Sequence, residues 1–205
     1  AASSIPLATL GVFILWMGWF GFNGGSQLAM GTLDDSISVS TIFINTNLAA
    51  CGGVLVAASI TRLVWKKTDV VQMLNGAIAG LVSITAGPDT PTPIQAILIG
   101  GVGGAIVVYG THLLYKFKID DVVGAIPAHL FAGIWGTLIV PFTNTDVTFS
   151  SQLIGIISVN IFVFLFSLII WAAMKSSIGI RLSASAEKSG TDVAEVGVVA
   201  YSIRD

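Results

Sequence analysis

The sequence predicts an all-α, polytopic transmembrane helical bundle, and three observations carry that prediction: scarcity of charge, length of the apolar runs, and placement of the basic residues. Of 205 residues, 54% are hydrophobic and 10% charged, with a mean hydropathy of +0.90. A water-soluble domain carries about 25% charged residues, so this chain lacks the polar surface that water requires and its solvent is lipid. A bilayer core of roughly 30 Å takes about 20 apolar residues per helix. Six such runs stand between polar breaks, at approximately 6–30, 38–63, 70–86, 93–115, 122–140 and 153–174. The transmembrane domain is therefore read as residues 1–175, and 176–205 as a tail of soluble composition.

Basic residues fall only in alternate connections. None lies in 31–37, 87–92 or 141–152, whereas Arg62, Lys66 and Lys67 follow the second run, Lys116 and Lys118 the fourth, and Lys175, Arg181, Lys188 and Arg204 the sixth. The positive-inside rule then gives six up-and-down spans with a cytoplasmic tail; the membrane is expected to be the plasma (cell inner) membrane. Asp34, Asp35, Asp89 and Asp146 fall outside with no basic neighbour; they are either ordinary solvated loop residues or a weak attractor of cations. In the tail, 183–189 reads as flexible, whereas 192–201 alternates with valines and is a docking candidate. The chain starts with alanine and reaches Arg62 without a basic residue, so it is expected to be the later part of a longer protein.

Small residues set the expected packing. In lipid, helices associate where small side chains let backbones approach. Gly124, Ala128, Ala132 and Gly136 form an i, i+4 stripe, Gly76 and Gly80 a GxxxG pair, and Gly100, Gly101, Gly103 and Gly104 a cluster. The last cluster is no dinucleotide site, since Ile106 replaces the final glycine of GxGxxG.

Polar residues at membrane depth are costly and mark candidate sites. His129, eight residues beyond Asp121, sits roughly 12 Å into its span at 1.5 Å per residue. The adjacent stripe is expected to aim it at the bundle interior, for a pore or for a bond to a neighbouring helix. Phe22 and Ser26 lie one turn apart with glycines between them, an aromatic face beside a hydroxyl that can hold a small cation. Trp16 and Trp19 read as interfacial belt anchors, and His112, near Lys116, as structural or interfacial. Asn45, Thr46, Asn47, Asn75, Ser83 and Thr85 read mainly as interhelical hydrogen-bonding groups, and Asp121 as a helix cap.

These patterns exclude several classes. One cysteine, Cys51, rules out an intramolecular disulfide framework, and it has no neighbours for a zinc site. No cofactor is implied, and a net charge of −2 argues against a nucleic-acid partner. An intramembrane serine protease is disfavoured because Gly24-Gly25-Ser26-Gln27 is not GxSG and no base-orienting carboxylate is evident, so the protein is read as not an enzyme. Paired Asn-Pro-Ala half-helices of water channels, an intraspan carboxylate of ion-coupled carriers, and a potassium filter are all missing from the sequence. What remains is a narrow, nearly uncharged pore with one imidazole. It suits a substrate that is a cation outside and neutral inside, because burial depresses an ammonium-type pKa by as much as about 3 to 5 units.

The residue blocks Leu15–Ser26 (LWMGWFGFNGGS), Asn45–Ala50 (NTNLAA), Asn75–Gly87 (NGAIAGLVSITAG), Lys118–Leu138 (KIDDVVGAIPAHLFAGIWGTL) and Gly190–Tyr201 (GTDVAEVGVVAY) together resemble the ammonium transporter (Amt/Mep/Rh) family, in its C-terminal half. The resemblance implies a trimer, a pore or channel in each subunit, and eleven spans built as two inverted repeats plus a last helix, of which these six would be the sixth to eleventh. It implies that Phe22 is an outer-gate phenylalanine, Ser26 the recruitment-site hydroxyl, His129 the second of two pore histidines, Leu15 a pore-lining aliphatic residue and Thr85 a residue near the conduction path. The implied function is transmembrane passage of ammonium or ammonia through a hydrophobic pore with a histidine relay. The alternative is an ammonium sensor that signals through the tail. Membrane lipid and a PII-type regulatory protein at the cytoplasmic face are the implied partners. The chain departs from the family where Gly124 replaces an aspartate common in bacterial members, and where Val196 replaces a tail histidine.

Overall fold

The computed structural model describes residues 4–200 of the chain, and all regular structure among them is helical. Two compact units are present, Ala1–Ile154 and Gly155–Asp205. The first unit contains α1 (Ile5–Gly25), α2 (Leu33–Trp65), α3 (Val70–Ile84), α4 (Pro93–Lys116) and a composite helix. That composite is a π-helical turn, Ile126–Phe131, continued by α5 (Ala132–Ile139) and a 3₁₀ turn, Val140–Phe142. Next comes α6 (Phe149–Ser177), then the short tail helices α7 (Ala184–Ser189) and α8 (Thr191–Val196). Among the described residues four helices, α1, α2, α4 and α6, are long and apolar enough to cross a membrane; α3 and 126–142 are apolar but shorter.

Caps explain where the boundaries differ from the apolar runs. α2 starts at Leu33 rather than 38 because Thr32 and Asp35 form a reciprocal capping box, which draws Asp34 and Asp35 into the helix. α1 stops at Gly25 rather than 30, with Ser26 as its C-cap. The composite helix begins near Ala125 rather than 122, because Gly124 adopts φ +75° and the Asp121 carboxylate accepts from the Ala125 and Ile126 N–H groups at 2.8 Å each. That bears out Asp121 as a cap. In the tail, 184–189 forms the short helix α7, capped by Ser183, and Arg181 pairs with Glu187 at 2.7 Å. Tyr201 and Arg204 lie outside the described residues.

α2 is the centre of the first unit, and close backbone approach holds it there. A Cβ added at Gly53 would strike the Gly76 carbonyl of α3, while one at Gly104 of α4 would strike the Gly53 carbonyl. Likewise Gly80 of α3 and Gly100 of α4 both abut the Ala49 carbonyl. The two glycine groups read from the sequence thus meet on α2 from opposite partners, against a small-residue row Ala49, Gly53, Ala57 that periodicity had not singled out. The expected stripe of the fifth run is also buried: Gly136 abuts the Ser83 backbone, and Ala128 and Ala132 join Ala50, Ile78, Ala79, Leu81 and Val107 in one apolar cluster. Four α-helical residues overshoot one turn by about 40°, and the wider π-helical turn takes back part of that drift, so the stripe keeps facing α3.

Candidate functional site

The C-terminal half of α1 is tied to other elements by two side-chain hydrogen bonds, from Trp19 and from Asn23. Trp19 Nε1–H donates to Thr85 Oγ1 at 2.8 Å, and the Thr85 hydroxyl donates to the Leu81 carbonyl at 2.7 Å. Asn23, 1% exposed, donates from Nδ2 to Thr46 Oγ1 at 2.9 Å. Asn45, wholly buried, donates from Nδ2 to the carbonyls of Pro88 and Pro91 at 2.9 and 2.7 Å, clamping the connection between α3 and α4. Asn45 and Thr46 therefore do act as polar links between segments, whereas Asn47 is exposed. Trp19 is no belt anchor: its ring and that of Trp16 pack on the apolar cluster, and its N–H has a partner inside the unit.

Trp16, Trp19 and Asn23 point into the unit, and the face of α1 that flanks them stays open. Leu15, Phe22 and Ser26 lie on that open face, Leu15 and Phe22 being 53% and 60% exposed. The Phe22 ring meets Trp19 edge to face, 5.9 Å between centroids. The Ser26 hydroxyl donates to the Phe22 carbonyl at 2.9 Å, so its proton is committed and its oxygen lone pairs remain as acceptors. An exposed aromatic face beside an acceptor-only hydroxyl is the chemistry that takes an N–H cation.

His129 stands on the π-helical turn and is exposed, while Ala128 beside it is buried. It therefore lies on the surface of the first unit rather than in its interior, because the buried stripe and the imidazole occupy neighbouring faces of one turn. Thr85 is half-buried and already holds two hydrogen bonds, which makes it a tie between α1 and α3. Trp19 thus meets Phe22 and bonds Thr85, and Ser26 bonds the Phe22 carbonyl; Ala128, the chain neighbour of His129, packs in the apolar cluster that Trp16 and Trp19 border. An apolar groove of about 440 Å³ between α1, α2 and α3 contains none of the five candidate residues. The tie that sequence reasoning missed is Asn23, an amide on the core-facing side of an apolar span.

The family model described as the Ammonium Transporter Family matches residues 1–201. The chain belongs to that family. It is 41% identical over 218 residues to the ammonium transporter Amt2 of Archaeoglobus fulgidus, covering 97% of this chain and 46% of that protein. Among solved structures it superposes on a sensor Amt protein with a TM-score of 0.86 at 31% identity, over 94% of this chain and 49% of the other. It superposes on Candida albicans Mep2 with a TM-score of 0.81 at 28% identity, over 95% and 46%. The chain spans about half the length of the curated relatives it matches.

Proposed function

We propose that the chain forms one wall of a conduit in a membrane protein that recruits ammonium on its outer face and passes it inward as ammonia. The observation that supports this best is the pairing of an exposed Phe22 ring with a Ser26 oxygen whose only proton is already donated. A cation held there by cation–π attraction and a hydroxyl acceptor would shed its proton on entering an apolar path. Leu15 extends the same open face inward, Thr85 fixes the gate through Trp19, and His129 acts as a hydrogen-bonding relay deeper in. Six spans in up-and-down order, a cytoplasmic tail, a plasma-membrane location and a trimeric assembly complete the reading.

A second reading is an ammonium sensor, with the tail as output. It draws the stronger support from the solved structures, because the 0.86 superposition is on a protein described as a sensor and the 0.81 superposition on Mep2. Both readings use the same outer site and differ in the output. The test is uptake of labelled methylammonium by the full-length protein in proteoliposomes, with Phe22→Ala, Ser26→Ala and a truncation after Lys175. Loss of uptake in both site variants supports recruitment; wild-type uptake in both overturns it. Uptake retained by the truncation while ammonium-dependent signalling disappears favours the sensor.

A further inference from the structure

We propose that Asn75 is a positioning residue for His129, acting through the backbone at the entry to the π-helical turn; this rests on the reading of His129 given above. The entry segment has every backbone N–H of its first turn accounted for. Asp121 takes those of Ala125 and Ile126, Pro127 has none to satisfy, and Ala128 donates to the Gly124 carbonyl at 3.1 Å. The Val123 carbonyl has no helical donor: the residue four positions on is Pro127, which has no N–H to give it. Asn75, projecting from α3, fills that place with an Nδ2–H donated at 3.0 Å.

The contact also explains why glycine occupies position 124. Its φ of +75° turns the chain into the helix, and a Cβ there would lie 2.5 Å from Asn75 Nδ2. Immediately beyond, Pro127 is fully buried with its Cβ against Gly110 of α4. The turn is thus held at Val123 by α3 and at Pro127 by α4, and His129 follows two residues later on the exposed side. Removing the Asn75 donor frees the Val123 end alone, so the turn and its imidazole rotate about the Pro127 anchor.

The experiment reads position 129 directly. In the full-length protein in membranes, replacing Cys51 and any cysteine outside residues 1–205 with alanine removes the native thiols, and His129→Cys provides a reporter, labelled with a small water-soluble thiol reagent. Asn75→Asp, which swaps the donor for acceptors at equal size, should change the labelling rate at 129 at least fivefold, and Asn75→Gln, which retains an amide donor, should change it less. A rate within twofold of the parent in Asn75→Asp overturns the proposal. Should Asn75→Asp fail to insert, Asn75→Ser serves in its place under the same criterion. The readout needs no ammonium: a shifted labelling rate with unchanged methylammonium uptake in the His129-containing Asn75→Asp protein leaves the positioning intact and counts against the role assigned to His129. Reduced uptake with an unshifted rate counts against the positioning.

Discussion

Replacing Asn45 with alanine should release the connection between α3 and α4. Its side-chain amide is wholly buried and donates two hydrogen bonds, to the carbonyls of Pro88 and Pro91, and both prolines are themselves buried. Alanine offers neither bond. Each orphaned buried acceptor costs about 1–3 kcal/mol, so the pair costs roughly 2–6 kcal/mol. A protein of this size then loses on the order of 10 °C in melting temperature. The assay is thermal unfolding of purified protein in detergent, with the exposed neighbour Asn47→Ala as a control expected within about 0.5 kcal/mol of wild type. Hydrogen exchange adds a local readout, because the amides of Gly87, Asp89 and Thr90 lie in the clamped connection. Asn45→Ala melting within about 2 °C of wild type, with unchanged exchange at those amides, would refute the assignment of the clamp.

Gly100→Ala should destabilise by about 1–3 kcal/mol or more, because the added methyl meets the Ala49 backbone, whereas Gly11→Ala, which meets nothing within 4 Å, should be tolerated in the same melt. Trp19→Phe keeps the ring but loses the donation to Thr85, and should cost about 1 kcal/mol while loosening Phe22, read by melting temperature and by methylammonium KM. In the tail, the N–H groups of Ala200 and Val193 hold the Asp192 carboxyl below its ordinary value of 3.8. The folded-state value is the depressed one, so this contact contributes above the unfolded value and is lost as pH falls through the lower folded one. Asp192→Asn, which carries no charge at any pH, should bring faster protease digestion of the tail than wild type at pH 7, and the difference should shrink as pH falls through the lowered Asp192 value.

Much of the helical layout was legible because lipid imposes a simple requirement: an apolar run long enough to cross, broken by polar turns. The glycine pairs were legible for a similar reason, and Gly76, Gly80, Gly100 and Gly104 all sit at close backbone approaches. The ends of the helices were harder to read, since hydropathy does not register the Thr32–Asp35 capping box or the turn at Gly124. Ties across long sequence separations were least legible. Trp19 reads as a belt anchor until its partner Thr85, 66 residues away, is in place, and nothing near Pro127 announces that Asn75, 48 residues before Val123, will take the Val123 carbonyl. The exposure of His129 belongs to the same class. The small stripe beside it indicated a buried neighbourhood, and the π-helical turn decided which face the imidazole would share.

The central claim is that His129 meets the substrate nitrogen on its way through the membrane. His129→Ala in the full-length protein, reconstituted in liposomes and driven by an inward ammonium gradient, tests it most directly by current and methylammonium uptake together. The account predicts loss of uptake or altered discrimination between ammonium and potassium; unchanged uptake, current and selectivity would contradict it.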